Sequence, residues 1–170
     1  MANVEDGSVS VIDTQALSEV ARIPIGTAPV QVGFTPSGDQ VYVSLRDENR
    51  VAVIDTSTRE VTNRIDVGPN PIQLIATQDG KFVYVANQGT EAEPNDTVSV
   101  IDTAIGQVVK TITTGRGAHG VSASADGVYV FVTNIADDTV SIIDVGSQEV
   151  VKTVPVGDRP NGIVYGGPGR

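Results

Sequence analysis

The sequence has no cysteine, no tryptophan, one histidine, and only four tyrosines and three phenylalanines among its 170 residues. Without cysteine there is no disulfide framework and no thiolate metal site. With His119 alone, the chain cannot build a histidine-rich metal site or hold a haem between two histidines of its own. The scarcity of aromatic rings argues against the stacking platforms that grip single-stranded nucleic acid. Basic charge is also short: 11 Lys and Arg face 21 Asp and Glu, a net charge of −10. Binding to a phosphate backbone needs clustered cations, so nucleic acid is not an expected partner. No apolar run approaches the roughly 18 residues of a membrane span, so no membrane insertion is expected. No signal-peptide pattern precedes the folded-looking sequence at Met1-Ala2-Asn3, as would also hold for a mature or trimmed chain.

Turn residues and short valine-rich segments are present in quantity: Gly occurs 18 times and Pro 9 times. They punctuate apolar runs dominated by Val and Ile, the composition of an all-β chain. The runs repeat. "SVSVID", "RVAVID", "TVSVID" and "TVSIID" end at Asp13, Asp55, Asp102 and Asp144, steps of 42, 47 and 42 residues. A glycine closes the next run at Gly26, Gly68, Gly115 and Gly157, followed three residues later by Pro29, Pro71, Ala118 and Pro160. The longer step comes from five extra residues in the polar stretch "QGTEAEPND", where insertion is tolerated. Each unit holds four strand candidates within about 42 residues, the period of a propeller blade. Asp at the end of each "VID" suits an Asx-type turn, and Gly38, Gly80 and Gly127 suit hairpins that need positive φ. The fold class read from this pattern is all-β, a β-propeller of four-stranded antiparallel blades.

"FVYVAN", "YVFVTN", "TVSVIDT", "VVKT" and the recurrent G-x-x-P element resemble the YVTN β-propeller repeat family, over nearly the whole chain. The resemblance implies that the strand after G-x-x-P is innermost, "YVTN" second, "VSVID" third and "VVKT" outermost. Residues 1–170 then form a single propeller unit, with repeats near 1–28, 29–70, 71–117 and 118–159. That gives three complete blades and a split fourth, whose closing inner strand lies in 160–170 around Asn161–Tyr165. Family rings have about seven blades. The chain therefore reads as the C-terminal part of a longer propeller, as half of a ring completed by a second copy, or as a four-bladed ring or open arc. In each incomplete case the terminal flank is apolar, and self-association is expected. The resemblance further implies a surface-layer, secreted or periplasmic protein. It also admits an alternative, a fragment of a lactonase-like or haem-associated propeller whose active residues lie in other blades.

Repetition directs attention to where the repeats disagree. One face is expected to carry the G-x-x-P loops, with Arg116, His119, Arg159 and Asn161, and the loops after the second strands, with Asn134 and Asp137 among others. A protein or small ligand is expected at the axial mouth of this face, with no cofactor. His119 aligns with Val30, Ile72 and Asn161, which do not titrate, so a repeat position is the plainer reading than a general base. The acidic loops recur once per blade and so do not converge on a cation. "GVSAS" lacks the last glycine of a nucleophile elbow, and "GRGAHG" is not followed by Lys, as a phosphate loop would be. The expected activity is therefore a non-catalytic scaffold or binding module, with no catalytic and no metal residues assigned.

Overall fold

The computed structural model describes residues 1–166. Fifteen strands follow in chain order: β1 Ala2–Asn3, β2 Ser8–Asp13, β3 Ser18–Pro24, β4 Pro29–Phe34, β5 Gln40–Leu45, β6 Arg50–Asp55, β7 Glu60–Asp66, β8 Pro71–Ala76, β9 Phe82–Gly89, β10 Pro94–Asp102, β11 Gln107–Thr113, β12 Ala118–Ala123, β13 Tyr129–Asn134, β14 Thr139–Asp144 and β15 Glu149–Pro155. They form four antiparallel meanders. The first blade is β1-β2-β3, and the second (β4-β5-β6-β7), third (β8-β9-β10-β11) and fourth (β12-β13-β14-β15) have four strands each.

Local chemistry repeats with the blades. Asp13 accepts hydrogen bonds from the backbone N–H of Gln15 and Ala16, both 2.8 Å, and Asp55, Asp102 and Asp144 close the equivalent turns. These bonds hold Leu17, Arg59 and Gln148 at φ of 51°, 60° and 54°, a conformation that the third repeat fills with Gly106. Gly38, Gly80 and Gly127 take φ near 71–76° in the tight hairpins, as expected. A bulge falls at the same step between third and outer strands in every blade, at Val11/Ile12, Val53/Ile54, Val100/Ile101 and Ile142/Ile143. It adds the local twist that lets flat blades pack face to face.

Three apolar seams hold the blades together. Val9, Ile23 and Ile25 of the first blade pack on Val41, Val43, Leu45 and Ile54 of the second. Tyr42, Val51, Val53 and Ile65 of the second pack on Leu74, Val83, Val85 and Ile101 of the third. Tyr84, Val98, Val100 and Ile112 of the third pack on Val121, Val130, Val132 and Ile143 of the fourth. Among the described residues no seam joins the fourth blade to the first, so the blades form an open arc. Inner strands β4, β8 and β12 line its concave side.

The expected inner strand at Asn161–Tyr165 is not a strand. Residues 160–166 pair with no sheet. The segment lies beside β12 instead, where the inner strand of a next blade would sit. The His119 Nδ1–H donates to Asn161 O at 2.7 Å, and Tyr165 N–H donates to Ser122 Oγ at 3.0 Å. The Tyr165 ring stacks on Phe131, centroids 5.9 Å apart. An inner strand forms its ladder with a second strand, and none of the described strands lies on its far side. The rest of that expected element, residues 167–170, falls outside the described residues.

Candidate functional site

The loops leaving each outer strand and the loops leaving each second strand meet on one face because the backbone continues the pairing of inner and second strands beyond their ends. Arg46 N–H donates to Ala28 O, Gln88 N–H to Asn70 O, and Ile135 N–H to Gly117 O, at 3.0–3.1 Å. Each accepting residue has positive φ, at 48°, 50° and 71°, and Arg159 shares the conformation at 48°. Non-glycine residues hold this conformation where neighbouring bonds fix it.

On this face Arg116 grips Asp137 twice. Its backbone N–H donates to Oδ2 and its Nε–H to Oδ1, each at 2.8 Å, and these bonds keep the Asp137 carboxyl below its ordinary range. Arg159 donates its backbone N–H to Asp138 Oδ1 at 2.8 Å, while its guanidinium is 3.8 Å from Glu91 and 68% exposed. An exposed pair at that distance contributes little to stability, which leaves the guanidinium available. Asn161 is exposed and engaged through its carbonyl with His119.

His119 is partly buried on β12. Burial pushes its imidazole pKa below the usual value, opposed by the bond to Asn161. The neutral ring donates from Nδ1 to a carbonyl and so ties the terminal segment to the fourth blade. Among the described residues no three His, Asp or Glu side chains cluster as metal ligands.

Asn134 is not on the face. It is completely buried, and its Nδ2 donates to Thr139 Oγ1 and Ser141 Oγ, both at 2.9 Å. Asn87 binds Thr97 and Ser99, and Asn3 binds Ser8 and Ser10, in the same way. In the second blade Leu45 stands in place of Asn, and Arg50 and Ala52 stand in place of the two hydroxyls. The asparagine and its partners change together, so this residue clamps second and third strands.

The insertion, another place where the repeats disagree, takes a definite shape on this face. It lengthens β9 and β10 into a projecting hairpin closed by Thr90 and Glu93. Gly89 turns at φ 71°, where a Cβ would strike the backbone of Glu93 and Asn95. The hairpin base, with Gln88, Glu91 and Pro94, meets Ile135, Ala136 and Arg159 around a cleft of about 190 Å³. Arg116, Asp137, Arg159 and this hairpin therefore come together, while His119 and Asn161 sit at the inner, axial edge.

The arrangement of repeated four-stranded meanders around a common axis, with a shared loop face, defines a β-propeller. The chain belongs to the YNCE-like beta-propeller family, whose model matches residues 67–169. Residues 1–72 match the model of the Cytochrome D1 heme domain. Among solved structures, Kuenenia stuttgartiensis Hydrazine Synthase is similar, at 27% sequence identity and a TM-score of 0.84. That alignment covers 89% of this chain and 44% of the other, so the present chain spans less than half of that one. No curated protein matches the chain.

Proposed function

We propose that the protein is a non-catalytic propeller scaffold of the YVTN surface type, outside the cell or in the cell envelope, which binds a protein or small ligand through the loop face. The observation that carries this reading is the cleft beneath the insertion hairpin. It is the place where the repeat is broken, and it presents the exposed Arg159 guanidinium beside a rigidly tied loop. Arg116, Asp137, His119 and Asn161 are already engaged with one another or with backbone, which suits a preformed recognition surface more than a reacting group. The test uses immobilised wild-type chain and a variant combining Arg159→Glu with residues 90–93 replaced by Gly and Ser. Both are offered the envelope fraction of the source cell. Retention of an envelope component by the wild type and its loss by at least about tenfold in the variant supports the reading. Equal retention contradicts it.

A second reading, a cofactor or enzyme propeller, is favoured by the Cytochrome D1 heme domain match and the likeness to hydrazine synthase. The donor set does not fit a haem. The matched segment 1–72 has no His and no Cys, Tyr42 is buried with its hydroxyl on Gln40, and His119 lies outside that segment. Under this reading the reacting groups lie in other blades. Haem titration into the chain then gives the spectrum of free haem, and a ligated spectrum lost in His119→Ala overturns that assignment.

A further inference from the structure

The cleft beside the insertion hairpin, where the third blade meets the fourth, combines a fixed frame with two movable charged groups. The frame is backbone. Ile135 N–H donates to Gly117 O at 3.0 Å, Ala136 N–H to Arg116 O at 3.1 Å, and Gly117 N–H crosses to Asn95 O of the third blade at 2.7 Å. A Cβ on Gly117 would stand 2.6 Å from Ile135 Cγ2, so the two sides of this frame are already in contact. On the hairpin side Gln88 N–H donates to Asn70 O and Thr90 N–H to Glu93 O, each at 3.1 Å. These amides are engaged within the fold. The cleft therefore does not offer the row of free N–H groups that makes a backbone nest for anions, and charge recognition falls to side chains.

Two side chains bring opposite charges to it. Arg159 comes from the loop after β15 and Glu91 from the hairpin. Their nearest atoms, Nη2 and Oε1, are 3.8 Å apart, and both side chains are exposed. That distance is beyond hydrogen-bond reach, so each group feels the other's charge while the donors of one and the lone pairs of the other stay unused. The other arginines of these loops are spent. Arg46 donates to Asp47 at 2.7 Å and Arg116 to Asp137 at 2.8 Å. Pro94, Ile135 and Ala136 add apolar wall. The volume, about 190 Å³, is below the ~300–1,000 Å³ of pockets that take drug-sized ligands, so the occupant is small.

Charge narrows the choice further. The chain carries a net charge of −10. Around the cleft Glu91, Glu93, Asp137 and Asp138 outnumber Arg116 and Arg159. Charges within about 8 Å are not screened away at physiological salt, so a plain anion is repelled as it nears Arg159. A plain cation satisfies Glu91 and brings a like charge to the guanidinium. A zwitterion has no net charge to repel and pairs both groups at once. The guanidinium fork can give a carboxylate two parallel hydrogen bonds, more than Glu91 receives from it at 3.8 Å.

We infer that this cleft binds a free α-amino acid with a small apolar side chain. Its carboxylate lies on Arg159, its ammonium group on Glu91, and its side chain against Pro94, Ile135 and Ala136. The exposed Arg159–Glu91 pair parts to admit it, and each member exchanges a distant partner for a bonded one. A peptide terminus brings only one of the two charges and is discriminated against. The inference rests on the reading of this face as a ligand site and narrows it to one chemical class.

NMR titration of the isotope-labelled chain at pH 7 tests it, with L-valine, N-acetyl-L-valine and L-valinamide as probes. The acetyl compound lacks the ammonium charge and the amide lacks the carboxylate. L-valine is expected to shift the amide signals of Gln88, Ile135 and Ala136 with a dissociation constant below about 1 mM, at least about tenfold tighter than either derivative. Glu91→Gln is expected to weaken L-valine at least about fivefold and leave N-acetyl-L-valine no weaker. Arg159→Gln is expected to weaken L-valine as much and leave L-valinamide no weaker. Equal β-sheet circular dichroism confirms that both variants fold. Three results would overturn the inference: no shift with L-valine up to about 20 mM, shifts away from the cleft, or equal affinity for L-valine and either derivative. Any of these, alongside an envelope component that the wild type retains and the hairpin variant loses, overturns the amino-acid assignment and leaves the ligand face standing. L-valine binding as expected with equal retention by both proteins contradicts the envelope partner alone.

Discussion

At the scale of single residues, the asparagine clamp shows how one side chain sets its neighbours. Asn134 satisfies Thr139 and Ser141 inside the blade, while Leu45 in the same position is accompanied by Ala52. Asn134→Leu strands two hydroxyls and should cost about 2–3 kcal/mol by urea unfolding. Adding Ser141→Ala should recover about 1 kcal/mol, a coupling that a double-mutant cycle measures. Acid sensitivity also belongs to residues. The Thr77 hydroxyl and the Lys81 backbone N–H hold Asp79 at about 2, below its ordinary 3.8, and Asp39 and Asp126 are lowered by equivalent turn bonds. These carboxylates contribute stability that is complete above their unfolded values and is lost as pH falls through the folded ones. His119 acts at a higher pH. Its folded pKa lies below the unfolded 6.5, so the unfolded chain takes up the proton first and stability declines as pH falls below about 6.5. Thermal melts from pH 7.5 to 5 should show this decline in wild type and a smaller one in His119→Gln.

At the scale of elements, most of the fold was legible because a blade is a local object. Its strands, Asx turns and positive-φ glycines are written within 42 residues and repeated. Contacts between blades were less legible, since they join loops of neighbouring blades about twenty residues apart with no local pattern between them. The bond from Thr27 to Glu48 and the seat of Gly115 on Asn134 have no local signature. The end of a strand at the loop face points to Asn134 as a face residue, but its side chain turns inward. Asn161–Tyr165 has the sequence of an inner strand, yet a strand needs a ladder partner as well as a pattern. The insertion was visible as five extra residues, while the cleft under it depends on Arg159, 68 residues after Glu91. Because its hairpin packs mainly on itself and on loop backbone, replacing residues 90–93 by a two-residue turn should change unfolding free energy by less than about 1 kcal/mol. A larger loss would show that the hairpin supports the blades.

At the scale of the whole molecule, the described residues form an arc of blades that share one plan and differ mainly in their loops. The flank beyond β15 carries Gly157 and the partly buried apolar row Phe131, Val140, Ile142 and Val154. The flank before β2 offers Asn3, Asp6, Arg22 and a cleft. A repeat protein gains stability from each seam, and the seam between the third and fourth blades underlies the face that carries Arg116 and Asp137. The central claim is that this face binds at the cleft beneath the insertion hairpin. The most direct measurement is retention of an envelope component by immobilised wild-type chain and by Arg159→Glu, with equal β-sheet circular dichroism of both proteins. The expected result is retention by the wild type and a loss of at least about tenfold in the variant. Equal retention by both proteins overturns the claim.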